Sequence, residues 1–192
     1  SNGRVGITGS SYLGFTSLMA LVDPHPALKA AVPQSPMVDG WMGDDWFHNG
    51  AFRTFGFDYD LGQTVKEGGG AVPKGTGDEY TAYLEAVSAM EYAKAYGLLK
   101  LPVVRKMLEH PTYDAWWQGQ AVDKLLAKRK LTVPTMLVVG QWDQEDSYGA
   151  PAVYKALEPQ DTNNDMVSLV IGPWRHSQVN YEGRELGPLK FE

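Results

Sequence analysis

The sequence predicts an α/β fold: a mostly parallel sheet with a helical segment inserted between its strands. Three observations predict it. Short apolar runs at 5–8, 28–32, 133–139 and 167–171 have the length of buried strands. Apolar helical stretches follow the first run and separate the last two, which is the spacing of a parallel strand–helix–strand unit. Between residues 50 and about 130 the strand rhythm disappears and helical patterns replace it.

Each element has a local reason. Val5 and Ile7 open a strand that runs into Gly9-Ser10-Ser11. The stretch from Phe15 to Val22 is apolar enough for a buried helix, so the chain reads strand, sharp turn, helix. Gly9 and Gly14 permit the tight turn and the close approach of helix to strand. Asp23-Pro24-His25-Pro26 is a loop, and Leu28 to Val32 a short strand stopped by Pro33. The segment from Asp39 to His48 mixes Trp41, Trp46 and Phe47 with Asp44 and Asp45, a composition that suits a pocket wall better than a plain core. Gly68 to Gly77 reads as a flexible loop, and Asp78 as the cap of a helix through Tyr83, Leu84 and Val87, with 89–96 continuing helical. A short helix over 103–109 ends at His110-Pro111, and 114–130 reads as one longer helix. Strands at 133–139 and 167–171 flank a crossover helix at 151–157. The expected parts are therefore 1–49 with the sharp turn, a helical cap over 50–130, and 131–192 completing the sheet.

Composition bounds the function. The 192 residues suit one domain, and a hydrophobic fraction of 43% supports a sizeable core. The net charge of −6, without a basic run, excludes nucleic acid as an expected partner. No apolar run approaches the roughly 20 residues of a membrane helix. There is no cysteine, so the fold needs no disulfide. No signal peptide is legible. Only four residues precede the first strand, so the sequence is expected to begin in mid-fold, as a central piece of a larger protein.

The strand–turn–helix at Ser11 is the context of an exposed nucleophilic serine, at a helix N-terminus that favours developing negative charge. Two other readings compete. The serines could merely cap the helix. A phosphate cradle is the third, and it fails because the chain has neither G-x-G-x-x-G nor Gly-Lys-Ser/Thr. Further along, Asp143 and His176 each lie just past the end of a predicted strand, where ligand chemistry in parallel sheets is placed. Serine, then aspartate, then histidine is the chain order of α/β-hydrolases. A serine hydroxyl needs a base, neutral imidazole serves near pH 7, and a carboxylate orients that imidazole. The expected geometry puts Ser11 Oγ on one ring nitrogen of His176 and Asp143 on the other, at about 2.6–3.2 Å. His25 and His110 precede prolines in loops, and His48 is a weaker candidate.

Four stretches together, 9–15, 39–48, 142–146 and 172–177, resemble the α-amino acid ester hydrolases. These stand with cocaine esterase, the glutaryl-cephalosporin acylases and the X-prolyl dipeptidyl peptidases. The resemblance implies an α/β-hydrolase fold, here the second half of its sheet plus a helical cap. It implies Ser11 as nucleophile, His176 as base, Asp143 as orienting acid and the Tyr12 N–H as one oxyanion donor. The family's second donor, a tyrosine hydroxyl, comes from a loop earlier than residue 1. Asp45, Glu145 and Asp146 match the carboxylates that hold a substrate's α-ammonium, whose charge would relieve their mutual repulsion. The alternatives at these acids are solvated loop charges, or a divalent metal, disfavoured because no histidine clusters with them in the sequence. Leu13 departs from relatives that carry glutamate there. The implied activity is hydrolysis or acyl transfer of α-amino acid esters and amides, including α-amino β-lactam antibiotics, through an acyl-serine. The alternatives are a cocaine-esterase-like, cephalosporin acylase or X-prolyl dipeptidyl peptidase activity of the same family, or a non-catalytic fragment. No cofactor and no metal are expected. The expected partners are the small-molecule substrate, the remaining segments of the same precursor and further copies in a homo-oligomer, in the periplasm or outside the cell.

Overall fold

The computed structural model describes residues 2–43, 46–53, 55–64 and 78–191. Asp45 and the glycine-rich loop from Gly68 to Gly77 lie outside them. Four parallel strands form the main sheet in the order β1-β2-β5-β6: β1 (Val5–Ser10), β2 (Leu28–Gln34), β5 (Thr135–Gly140) and β6 (Val167–Gly172). Helix α1 (Tyr12–Met19) connects β1 to β2, and α8 (Gly149–Leu157) connects β5 to β6.

Both helices pack on the same face. Leu18 and Leu21 from the first connection join Val153 and Leu157 of α8 in one cluster with Ala31, Leu137 and Val139 of the sheet. The alternation of strand side chains sends Met136 and Val170 to the opposite face, where both are exposed. β1 is an edge strand, and Val5 on it is 54% exposed.

Strand β2 runs two residues past Val32, through the proline expected to stop it. Alternate residues of β2 address β5: the Ala31 N–H donates to the Pro134 carbonyl and the Ser35 N–H to that of Val138. Pro33 falls midway, so the ladder loses one donor and the strand continues. Helix α1 begins at Tyr12, three residues earlier than its apolar pattern, because the turn at Ser11 is a single residue.

Between β2 and β5 lie, among the described residues, the two-residue strands β3 (Phe47–His48) and β4 (Ala51–Phe52), which pair antiparallel, and six α-helices. The hairpin was not expected where strand rhythm was absent. The helices are α2 (Phe55–Thr64), α3 (Glu79–Glu85), α4 (Ala89–Ala95), α5 (Pro102–Glu109), α6 (Ala115–Gln120) and α7 (Val122–Leu126). Asp78 caps α3 through the Thr81 N–H, as expected, but Val87 takes a left-handed turn and Ser88 caps α4 afresh. The helix expected over 114–130 is two helices broken at Ala121, whose backbone is extended while the next N–H, of Val122, donates to the Val38 carbonyl. These helices have their own aromatic core around Phe57, Tyr92, Met107 and Trp117. After β6 comes a hairpin, β7 (Glu185–Leu186) with β8 (Leu189–Lys190).

Candidate active site

Ser11 sits between the end of β1 and the start of α1 with φ 62° and ψ −126°, a region that non-glycine residues avoid. Its N–H donates to the Gln34 carbonyl, and its carbonyl accepts the Phe15 N–H. Its hydroxyl makes no cap bond to the helix, so capping does not explain this serine. The glycines around it are steric requirements. A Cβ at Gly9 would lie 2.6 Å from the Leu13 carbonyl oxygen, and one at Gly14 would lie 2.5 Å from that of Gln34. As the first residue of α1, Tyr12 contributes one of the N–H groups that a helix leaves without an internal acceptor.

Asp143 and His176 follow the ends of β5 and β6. Both carboxylate oxygens of Asp143 lie 3.0 Å from His176 Nδ1, as expected for that half of the triad, whereas the expected hydrogen bond from Ser11 Oγ to the other ring nitrogen is not formed among the described residues. Asp143 Oδ1 also accepts the N–H groups of Glu145 and Asp146, each at 2.9 Å. Burial pushes the Asp143 carboxyl up, but hydrogen bonds from His176, the Asp146 N–H and Ser35 outweigh it and hold the carboxyl below its ordinary value. The two loops are also joined directly, the Trp142 N–H donating to the Trp174 carbonyl at 3.0 Å. A Cβ at Gly140 would lie 2.1 Å from that same oxygen, so only glycine lets the loops approach this closely.

Glu145 and Asp146 converge on the same imidazole. Glu145 Oε2 is 3.6 Å from His176 Nε2, and Asp146 Oδ2 is 3.9 Å from Nδ1. The expectation that no histidine clusters with these acids is corrected here. One ligand atom from each of Glu145, Asp146 and His176 lies within 4.8 Å of the others, a spacing that a small cation could bridge. The other histidines are placed elsewhere. His25 is exposed, His110 binds Asp114 at 2.6 Å and stacks on Trp116, and His48 is 3.4 Å from Arg53.

Two features escaped sequence reasoning. A cavity of about 160 Å³ is lined by Tyr12 and Phe15 of α1, Met37 and Val38 after β2, and Trp46 and Trp117. Trp117 lies far from Tyr12 in the chain, and no local pattern announces their meeting. The second is a charged anchor beneath the segment that leads to Asp45. The fully buried Asp39 carboxylate accepts the Trp41 N–H at 3.1 Å, Lys124 Nζ at 3.2 Å and the Tyr113 hydroxyl. Burial and the bond to Asp39 push the Tyr113 hydroxyl up to about 12. Burial works against charge on Lys124, yet Tyr113, Asp123 and Asp39 together raise it above its ordinary value.

With this geometry in place, comparison with known proteins locates the chain. The solved structure of an α-amino acid ester hydrolase is 58% identical with a TM-score of 0.93, over all of this chain and 31% of its own. An aminopeptidase from a marine sediment archaeon, Thaumarchaeota archaeon, is 48% identical with a TM-score of 0.89, over all of this chain and 32% of its own. Cocaine esterase from Rhodococcus sp. (strain MB1 Bresler) is 26% identical across 93% of this chain and 32% of the esterase. The chain thus spans about a third of the length of these relatives. Their likeness and the parallel order β1-β2-β5-β6 show an α/β-hydrolase fold, as expected. The profile of the X-Pro dipeptidyl-peptidase (S15) family matches residues 1–178, and the chain belongs to that family.

Proposed function

We propose that the protein is a serine hydrolase acting on esters and amides of α-amino acids. The observation that carries this reading is the Asp143 carboxylate centred on His176 Nδ1, in a loop whose Ser177 is hydrogen-bonded to Ser10, the neighbour of a serine held in a strained strand-to-helix turn. With Nδ1–H donated to Asp143, Nε2 is left as the basic nitrogen. It takes the Ser11 proton as Oγ attacks the substrate carbonyl. The Tyr12 N–H receives the oxyanion, and His176 returns the proton to the leaving alcohol or amine. Water then attacks the acyl-serine by the same base, releasing the acid and restoring Ser11.

The substrate assignment rests on the acids. In this reading Asp45, Glu145 and Asp146 hold the α-ammonium, and the apolar cavity beside Tyr12 takes the acyl side chain. The names of two relatives, an α-amino acid ester hydrolase and an aminopeptidase, both denote substrates with an α-amino group, which supports the choice over a cocaine-esterase-like activity. α-Amino β-lactam antibiotics fall in the same class. The helices from α2 to α7 act as the cap over the site. Further polypeptide covers the outer edge of β1 and the exposed face of the sheet, and the protein works as a homo-oligomer.

The test compares an α-amino ester with its des-amino analogue. A kcat/KM at least about tenfold higher for the amino ester is expected from one charged hydrogen bond of about 1.5 kcal/mol. Equal values would point to an esterase that does not read the amine.

A further inference from the structure

Ser10 and Ser177 each stand one residue from the proposed chemistry, and neither belongs to it. Their hydroxyls are hydrogen-bonded at 2.6 Å, partly buried, across a sequence separation of 167. The sheet order gives that contact its meaning. β1 and β6 are the outer strands, with β2 and β5 between them. At about 4.8 Å per strand spacing their axes lie roughly 14 Å apart. The ladder therefore leaves the position of the His176 loop over Ser11 undetermined, and the loop must reach back along the carboxyl ends of the strands.

The loop is built to make that reach as a unit. Gln178 is buried and braces it from inside: its Oε1 accepts the Arg175 N–H at 3.0 Å, and its Nε2 donates to the carbonyls of Glu182 and Glu185. Trp174 Nε1 donates to the Gly183 carbonyl at 2.8 Å. Ser177 itself adopts φ 59° and ψ 1°, a left-handed turn that follows directly on His176. On the other side Ser10 ends β1, and the next residue is the strained Ser11. Strain of that kind persists only where the surroundings over-determine it.

We propose that Ser10 and Ser177 are a positioning pair: their hydrogen bond fixes the separation between the nucleophile turn and the base loop. The inference rests on the reading of Ser11 and His176 given above. Neither hydroxyl touches a reacting atom. Asp143 orients the imidazole, and the serine pair sets where the oriented imidazole stands.

The test is steady-state kinetics on a neutral ester with Ser10→Ala, Ser177→Ala, the double variant and Ser10→Thr. A displacement of about 1 Å costs about a hundredfold, so each alanine variant should lose about ten- to a hundredfold in kcat with KM within about twofold. The double variant should lose no more than the worse single one, because both remove the same bond. Ser10→Thr keeps a hydroxyl at a strand position and should restore kcat to within about threefold. The rate of covalent labelling of Ser11 by a fluorophosphonate should fall in step with kcat, while the shape of the pH profile holds because the Asp143–His176 contact is intact. Alanine variants with kcat within about twofold of the parent would overturn the pair, as would multiplicative losses in the double variant. So would a Ser10→Thr as impaired as Ser10→Ala. Ser11→Ala run alongside separates the two ideas: if it stays active, the catalytic reading itself fails. If it is inactive while both alanine variants are fully active, only the pair fails.

Discussion

At the scale of single residues the proposed chemistry rests on Ser11, Asp143, His176 and the charges around them. Ser11→Ala should lower kcat by about 10⁴-fold or more, the scale of nucleophile loss in serine hydrolases, measured on any ester the parent turns over. Glu145→Gln should raise KM for α-amino esters about ten- to a hundredfold more than for des-amino analogues, the equivalent of about 1.5–3 kcal/mol. Parallel losses on both substrates would show that Glu145 serves His176 or the fold and does not read the amine. Asp143 also sets a pH dependence. Its carboxyl is held below the unfolded value of about 3.9. A depressed carboxylate contributes stability that is present above the unfolded value and is lost as pH falls through the folded one. Melting temperature should therefore drop below about pH 4 in the parent, and Asp143→Asn should lack that part of the slope. The proposed triad of Ser11, Asp143 and His176 could be picked out in the sequence because each stands at a strand end, whereas Glu145 came only with the family resemblance. Ser10, Ser177 and Trp117 were not, because what they do depends on which loops meet in space.

At the scale of elements, close approaches and buried charge position the site. Gly14 lies where α1 meets β2, and Gly14→Ala should destabilise the protein by about 1–3 kcal/mol, as overpacking does. The chemical denaturation midpoint reads this directly. Lys124→Met removes the cation from the buried Asp39 carboxylate. A fully buried pair broken in this way costs about 3–5 kcal/mol, and Lys124, a third exposed, should cost about 2–3. The main strands were legible because apolar β-branched runs report burial directly. Where the reading of elements failed, a backbone competitor had won. Pro33 stays in β2 because only one ladder donor is lost. Helices α6 and α7 separate because the Val122 N–H finds the Val38 carbonyl. The β3–β4 hairpin is too short to leave a period of two.

At the scale of the whole molecule, the described residues leave the sheet with one covered face, one exposed face and an open edge at β1. Exposed apolar edges invite pairing, and folded proteins avoid them. The Ser11 N–H turns to β2, so by alternation those of Thr8 and Ser10 turn away from it. If further polypeptide covers that edge in the working protein, as proposed, the amides of Thr8 and Ser10 should be protected from hydrogen exchange. Rapid exchange there would contradict a covered edge. Whether Ser11 is the nucleophile and His176 its base, as proposed, is decided by where and how fast the protein is covalently labelled. The protein is treated with a fluorophosphonate, digested, and the modified peptide sequenced by mass spectrometry. A single stoichiometric adduct is expected on Ser11, abolished in Ser11→Ala and slowed about a thousandfold or more in His176→Ala, as loss of the base requires. An adduct on another residue, or labelling of Ser11 at an unchanged rate without His176, would contradict it.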